Sequence, residues 1–244
     1  MMGPYLTSMY LRSERIPPEG GFPFELPVVK LLGEFKFHPR VTFFVGENGS
    51  GKSTLIEAIA VAYGINAEGG SRSFDFSTRA SHSPLGERLT LNKTAIMPAD
   101  AYFLRAESFY NVATEIERLG VRGYGDRSLH EQSHGESFFS LFCNRFGSRG
   151  LYLLDEPEAA LSPQRQLQFL ALLADYCRAG CQFIIATHSP IILAFPDAAI
   201  FMLSERGLTR TPYAETEPYK VTKNFLMNPE RSLKVLLEED EPPG

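Results

Sequence analysis

Residues 46–53 read Gly-Glu-Asn-Gly-Ser-Gly-Lys-Ser, and they directly follow the apolar run Val41-Thr42-Phe43-Phe44-Val45. The apolar run predicts a strand, and the sequence after the loop, Thr-Leu-Ile-Glu-Ala-Ile-Ala at 54–60, predicts a helix. Glycines let the loop backbone turn its N–H groups towards an anion, and the helix N-terminus adds positive potential there. A strand, a glycine-rich loop and a helix in this order predict a site for a nucleoside triphosphate.

The loop and the start of its helix supply the predicted phosphate ligands. The Lys52 side chain is long enough to reach the outer phosphates, and the Ser53 hydroxyl is suited to the ligand shell of Mg²⁺. The sequence therefore predicts ATP and Mg²⁺ as cofactors, with these residues in contact with the nucleotide: Gly46, Glu47, Asn48, Gly49, Ser50, Gly51, Lys52, Ser53 and Thr54.

The composition is that of a globular chain with one sizeable core. The 244 residues are 43% hydrophobic, and 24 basic against 29 acidic residues give a net charge of −5. This balance does not predict a broadly basic, nucleic-acid-coating surface. Three cysteines do not suggest a disulfide framework, and the chain contains neither an apolar run of membrane-spanning length nor a secretory signal pattern. We therefore expect a cytoplasmic protein.

Two acids follow a second apolar strand. Residues 151–154 read Leu-Tyr-Leu-Leu and precede Asp155 and Glu156. In enzymes with a phosphate-binding loop, an acid at this position holds Mg²⁺ opposite the loop serine. Asp155 is therefore the predicted second metal ligand beside Ser53, and Glu156 is the predicted catalytic residue that polarises the attacking water.

A third apolar strand, Phe183-Ile184-Ile185-Ala186, leads into Thr187 and His188. A histidine at this strand end could hydrogen-bond the γ-phosphate and respond to its loss. In isolation such a residue would more often be a satisfied histidine at a strand terminus. Because it follows the acidic strand, we predict that His188 joins Lys52 and Glu156 as a catalytic residue.

Residues 133–137, Ser-His-Gly-Glu-Ser, open the helix that precedes the acidic strand. A serine and a glycine at a helix start present a hydroxyl and free N–H groups, which together attract an anion. The same segment also fits a capping box between a serine and a glutamate three residues on. Both interpretations are compatible, and Ser133, Gly135 and Glu136 are predicted nucleotide ligands.

Strands alternate with helices along the chain, which predicts an α/β fold with helices on both faces of a mostly parallel sheet. Before the glycine-rich loop, prolines and glycines separate short extended pieces, and residues 28–32 and 34–37 are expected to be strands. Ser162 and Pro163 are expected to begin a long amphipathic helix.

Taken in order, these segments resemble the ABC-type ATPase superfamily. The matching segments are the phosphate loop 46–53, the signature position 133–137, the acidic strand 151–156, a D-loop-like stretch at 160–163, and the switch histidine His188. The phrases Asp-Glu-Pro-Glu-Ala-Ala-Leu-Ser-Pro at 155–163 and Ala-Thr-His-Ser-Pro at 186–190 look most like the soluble branch related to RecF, SMC and OLD proteins. Within that branch the chain is most similar to small stand-alone bacterial predicted ATPases, also named AAA family ATPases.

The resemblance implies a P-loop NTPase fold in a single domain over residues 1–244. It also implies N-terminal antiparallel strands and a small helical lobe at about 88–147 that carries the signature. The tail at 238–244 is acidic and rich in proline, and we expect it to be mobile. The resemblance further implies a homodimer in which the phosphate loop of one copy and the signature helix of the other enclose the same ATP. Hydrolysis would then open the dimer and act on a partner.

Two departures from the transporter pattern bear on that partner. His134 and Glu136 stand where the pattern Leu-Ser-Gly-Gly-Gln has glycine and glutamine, and no clear Q-loop glutamine follows residues 102–104, where Arg105 or Glu107 are the candidate substitutes. The sequence therefore favours a soluble ATPase that drives a process on DNA or a partner protein, such as repair, defence or regulation. The alternative is the nucleotide-binding subunit of a membrane transporter, which the departures make the less favoured prediction.

Overall fold

The computed structural model describes residues 4–12, 20–67, 69–71, 83–105 and 134–238. The strands are β1 (Leu6–Leu11), β2 (Phe35–Lys36), β3 (Val41–Val45), β4 (Gly70–Ser71), β5 (Leu89–Lys93), β6 (Asp100–Arg105), β7 (Gly150–Asp155), β8 (Gln182–Ala186), β9 (Ala198–Ser204) and β10 (Gly207–Arg210). The helices are α1 (Pro27–Lys30), α2 (Lys52–Tyr63), α3 (Leu85–Arg88), α4 (His134–Arg145), α5 (Pro163–Arg178), α6 (Pro190–Leu193), α7 (Glu217–Met227) and α8 (Pro229–Glu238).

Among the described residues, seven strands form the central sheet in the order β10-β9-β3-β8-β7-β6-β4. The five middle strands, from β9 to β6, run parallel, and the two outer strands pair antiparallel to their neighbours. β7 and β8 are buried along their whole length, as expected of parallel strands covered on both faces. The predicted α/β fold with a mostly parallel sheet is confirmed.

Alternate residues of the strands enter two apolar cores on opposite faces of the sheet. Phe43 of β3 packs in the core that contains Phe169 of α5, whereas the adjacent Phe44 packs in the core that contains Ile56 of α2. This alternation is the two-residue period of a strand. As a result, α2 and the phosphate loop before it are fixed to one face of the sheet.

A second sheet, β2-β1-β5, is antiparallel and confirms the predicted N-terminal antiparallel strands. The buried Gln182 of β8 joins it to the central sheet. Its side-chain oxygen accepts from the N–H groups of Tyr5 and Leu6, and its amide nitrogen donates to the carbonyls of Leu6 and His38. All the hydrogen-bonding groups of one buried side chain are thereby used between the two sheets.

Two expectations from sequence are wrong in this region. Residues 28–32 are not a strand, because Pro27 begins the short helix α1, in which Val28 and Val29 are buried. Proline is favoured at the first helical position, where its missing N–H costs nothing. Within the predicted helical lobe of 88–147, Leu89–Lys93 and Asp100–Arg105 are strands of the two sheets, and α4 is the helix that lies wholly within the residues described there.

The C-terminal part of the chain contains two helices that the sequence analysis did not predict, α7 and α8. The predicted mobile tail of 238–244 lies outside the described residues, except for Glu238 at the end of α8. No helix in the part of the chain that the structure describes is long and apolar enough to cross a membrane.

Candidate functional site

The predicted site residues meet at one edge of the central sheet. β3, β6, β7 and β8 are parallel, and their register aligns Phe44 with Ala186, Asp155 with Ala186, and Arg105 with Asp155. Their carboxyl ends therefore lie side by side, which is where α/β sheets bind ligands. The phosphate loop leaves the end of β3 at this same edge.

The loop backbone depends on glycine at two positions. Gly51, at the N-cap of α2, has a φ of 94°, in the left-handed region that favours glycine. A Cβ atom on Gly46 would lie 2.7 Å from the Leu203 carbonyl oxygen and 2.8 Å from Ser50 Oγ. Glycine at these two positions therefore permits the close turn that the loop makes before α2.

Lys52 is folded back onto the loop. Its Nζ donates hydrogen bonds to the carbonyl oxygens of Gly46, at 2.8 Å, and Glu47, at 2.9 Å. Burial lowers the pKa of Lys52 from its usual value, and the carboxylates of Glu156 and Asp155 oppose that shift. The amine thus has carbonyl partners that phosphate oxygens could replace.

The two predicted metal ligands contact each other. Ser53 Oγ donates a hydrogen bond to Asp155 Oδ1 at 3.1 Å, although 102 positions separate the two residues in sequence. The Asp155 side chain is only 4% exposed. A hydroxyl and a carboxylate oxygen placed together are the hard oxygen donors that Mg²⁺ prefers.

The predicted catalytic acid and the switch histidine are also adjacent. His188 Nε2 lies 3.4 Å from Glu156 Oε1, and both side chains are about one-third exposed, at 34% and 39%. Glu156 has a φ of 52°, an uncommon conformation for a residue with a side chain. Such backbone conformations concentrate at functional sites, which agrees with the predicted role of Glu156.

Glu158 is a site residue that the sequence analysis did not single out. Its Oε1 accepts a hydrogen bond from the backbone N–H of His188, and its Oε2 has no solvent exposure. Burial raises the pKa of Glu158, while hydrogen bonds, first from the His188 N–H, oppose that shift. Its place in the Asp-Glu-Pro-Glu phrase was the sequence signal.

Arg105, one of the two candidates for the Q-loop position, contacts one of the two predicted metal ligands. Its Nε lies 3.5 Å from Asp155 Oδ2, and its Nη1 donates to Glu57 Oε2 at 3.1 Å. Sequence analysis also missed Glu57, although it follows Ser53 by four residues on α2 and therefore shares that helix face. Glu107, the other candidate, lies outside the described residues.

The signature segment is described only in part. Ser133 lies outside the described residues, and α4 begins at His134, so Gly135 and Glu136 belong to its first turn as predicted. Their roles as ligands of a nucleotide, like those of the phosphate loop residues, stay predictions.

A cavity of about 490 Å³ lies beside the phosphate loop. Loop residues 46–50 line it together with His188 and the turn between β9 and β10. Lys52, Ser53 and Asp155 are not among its lining residues. The cavity therefore lies beside loop residues 46–50 and His188, and the Ser53–Asp155 pair does not line it.

Two family models and several curated relatives match the chain. Residues 31–103 match the model of an AAA domain, and residues 125–194 match the model described as "AAA domain, putative AbiEii toxin, Type IV TA system". The chain is 30% identical over 155 residues to the cytochrome c biogenesis ATP-binding export protein CcmA of Mesorhizobium japonicum, covering 60% of this chain and 77% of the relative. It is 31% identical over 166 residues to the thiamine import ATP-binding protein ThiQ of Cereibacter sphaeroides, covering 60% of this chain and 69% of the relative.

Solved structures support the fold. A putative metal-chelate type ABC transporter in an inward-facing conformation is similar over 91% of this chain and 88% of its own, with a TM-score of 0.50 at 17% identity. At that identity the likeness speaks for the fold alone.

Proposed function

Because the chain belongs to the ABC-type P-loop ATPases and is an ATP-binding ATPase, we propose that it hydrolyses Mg²⁺-ATP at the carboxyl edge of its central sheet as a dimer. The observation that carries the proposed site is the hydrogen bond from Ser53 Oγ to Asp155 Oδ1 at 3.1 Å. It unites the end of the phosphate loop with the end of the acidic strand, where a triphosphate and its cation would meet.

The residues present fit Mg²⁺. Among the described residues, no group of three or more His, Cys, Asp or Glu side chains is placed to hold a metal ion. Mg²⁺ in nucleotide enzymes needs only one or two protein oxygens, because phosphates and waters complete its shell. Ser53 and Asp155 would hold it, and when bound it would neutralise charge on the phosphates.

The chain's own residues supply the remaining chemistry. Loop N–H groups and Lys52 bind the phosphates, with the amine exchanging the carbonyls of Gly46 and Glu47 for phosphate oxygens. Glu156 accepts a proton from the attacking water. The oxygen of that water bonds to the γ-phosphorus, while the bond between the γ-phosphorus and the bridging β–γ oxygen breaks. His188, 3.4 Å from Glu156, orients that carboxylate and contacts the γ-phosphate. ADP and phosphate are the products.

A second copy of the chain would complete the site. The cavity beside the phosphate loop is bordered by His188, and the start of the signature helix would offer anion-binding N–H groups to the nucleotide of the other copy. ATP would then join two copies, and hydrolysis would release them. The dimer would be the moving part that acts on a partner.

For the partner, the relatives favour a transport complex. Both curated relatives described above bear the names of ATP-binding proteins for export or import, and the chain spans most of each. We therefore rank the nucleotide-binding subunit of a membrane transporter first, ahead of the DNA- or protein-directed switch that the sequence departures favoured. One argument still supports the DNA- or protein-directed switch: Arg105, which contacts Asp155, is a candidate for the Q-loop position, where the transporter pattern has glutamine.

One experiment tests whether the chain hydrolyses ATP and dimerises. ATPase activity is measured for wild type and Glu156→Gln, and molar mass by light scattering with and without Mg²⁺-ATP. We expect hydrolysis by wild type only, and a doubling of the 27.3 kDa mass for Glu156→Gln with ATP. A Glu156→Gln chain that stays monomeric with saturating ATP would contradict the proposed dimer.

A second experiment separates the partners. The tagged Glu156→Gln chain, expressed in its native host, is recovered from salt-washed membranes and from the supernatant, and wild-type ATPase is assayed with double-stranded DNA. Retention with one polytopic membrane protein supports the transporter subunit. Stimulation by DNA without membrane retention supports the switch instead.

A further inference from the structure

Arg105 occupies the charged centre of the proposed metal site. It ends β6 directly opposite Asp155 of β7, and its guanidinium contacts Asp155 on one side and Glu57 of α2 on the other. Asp155 also accepts the Ser53 hydroxyl on its other oxygen. An arginine, a serine and two acids therefore form one connected group in the structure.

The charges of this group change when Mg²⁺-ATP binds. Buried carboxylates require a nearby cation, and Arg105 serves both Asp155 and Glu57. Mg²⁺ on Asp155 would place a second, stronger cation a few ångströms from the guanidinium, and like charges at that distance repel. Arg105 must then give up Asp155, while the incoming γ-phosphate offers several anionic oxygens at the same place.

We propose that Arg105 is a γ-phosphate ligand that exchanges Asp155 for the phosphate when nucleotide binds, with Glu57 retaining the guanidinium. This inference deepens the proposed function and rests on its ATP site, not on its dimer or its partner. Arg105 would thereby do by charge what a Q-loop glutamine does by a neutral side chain. It would also balance one of the two carboxylate charges of the site until a triphosphate arrives.

The side-chain chemistry suits this exchange. A guanidinium presents several N–H donors in one plane, so one edge can stay on Glu57 while another turns towards phosphate. A lysine carries the same charge but lacks this planar set of N–H donors. The proposal therefore predicts that lysine at 105 rescues only part of the function.

The test measures nucleotide binding without catalysis. The affinities for a fluorescent non-hydrolysable ATP analogue and for fluorescent ADP are determined by anisotropy in the presence of Mg²⁺ for wild type, Arg105→Gln and Arg105→Lys. Arg145→Gln is the matched control, because Arg145 forms an ion pair with Asp100 at the opposite end of the same strand. Mn²⁺ binding without nucleotide is measured by electron paramagnetic resonance on the same proteins.

We expect Arg105→Gln to weaken ATP binding about ten- to a hundredfold, the value of a charge-assisted hydrogen bond, and ADP binding less than about twofold. The ATP affinity of Arg105→Lys should lie between those of wild type and Arg105→Gln, and the affinities of Arg145→Gln should match those of wild type. Mn²⁺ should bind the nucleotide-free Arg105→Gln protein more tightly.

An unchanged ratio of ATP to ADP affinity in both Arg105 variants overturns the inference. If Arg105→Gln does not fold, as judged by circular dichroism, the ratio for Arg105→Lys decides. Wild type that binds neither nucleotide would overturn the ATP site itself. A monomeric protein with the expected ratios would refute only the proposed dimer.

Discussion

The backbone N–H of His188 donates a hydrogen bond to Glu158 Oε1, so the switch histidine is held by a carboxylate from the segment that also carries Glu156. Glu156 lies beside the His188 ring, and Glu158 belongs to the 3₁₀ helix Pro157–Ala160 that follows Glu156. The position of the histidine therefore depends on the D-loop-like turn. A change at Glu158 should alter catalysis without removing any group that contacts ATP.

We predict that Glu158→Ala lowers kcat about tenfold, because the buried His188 N–H loses its acceptor, at a cost of about 1–3 kcal/mol. Glu158→Gln keeps an acceptor oxygen and should retain most of the activity. The measurement is steady-state ATP hydrolysis at saturating ATP. Asp175→Asn, on the exposed side of α5, serves as control, and equal losses in the alanine and glutamine variants would refute the role of this hydrogen bond.

The same carboxyl group predicts a pH dependence of stability. Its pKa is raised above the usual 4.5, chiefly by burial. As pH rises past 4.5, the unfolded chain loses a proton that the folded chain still keeps, so the free energy of unfolding falls until the raised pKa is passed. Relative to Glu158→Gln, wild type should therefore lose stability over this interval and then level off.

Urea unfolding of both proteins between about pH 4 and pH 8 checks this, because only wild type titrates at position 158. A stability difference that does not vary with pH would contradict it.

The Ser53–Asp155 pair predicts a change in the metal requirement. Ser53→Ala removes the hydroxyl and should raise the Mg²⁺ concentration for half-maximal ATPase activity about tenfold or more, the effect of losing one ligand contact. Ser53→Thr keeps a hydroxyl and should stay near wild type. The measurement is a Mg²⁺ titration at fixed ATP, and identical titrations for alanine and threonine would exclude Ser53 as a ligand.

These residues mark what could be predicted from sequence and what could not. The loop 46–53 was predictable because its strand, glycines and helix are contiguous, so local rules specify it. Asp155 and His188 followed from strands ending at a common sheet edge. Arg105 and Glu57 could be placed near the site, but their shared contact with Asp155 depends on side-chain packing between β6, β7 and α2, which no local pattern contains.

The errors have equally specific causes. The apolar pair Val28 and Val29 suits a strand as well as a helix, and Pro27 at the first helical position favours the helix. The strands β5 and β6 fall within the region assigned to the helical lobe because that boundary came from the family resemblance, not from the period of the residues. Helices α7 and α8 lie beyond the last segment that carries the resemblance, at 186–190.

Two glycines provide a matched test of the loop geometry. Gly46→Ala would place a Cβ 2.7 Å from the Leu203 carbonyl, whereas a Cβ on Gly33 meets nothing within 4 Å. We expect Gly46→Ala to destabilise the fold by about 1–3 kcal/mol and to weaken ATP binding, since the loop must move. Gly33→Ala should change stability by less than about 1 kcal/mol. Thermal unfolding and nucleotide anisotropy measure both, and a tolerated alanine at 46 would show that the loop has more room than its contacts indicate.

The last prediction concerns Gln182, which joins the two sheets. Gln182→Leu would leave the buried N–H groups of Tyr5 and Leu6 without their acceptor, and each unmade hydrogen bond costs about 1–3 kcal/mol. We expect the free energy of unfolding to fall by about 2–4 kcal/mol, while ATP affinity stays near wild type because Gln182 begins β8 at the end remote from His188.

Gln168→Leu, at an exposed position of α5, is the control for the same chemical change at the surface. Urea unfolding followed by circular dichroism gives the stability of each variant. Equal stability of the two variants would mean that the hydrogen bonds of Gln182 contribute nothing measurable to the stability of the fold.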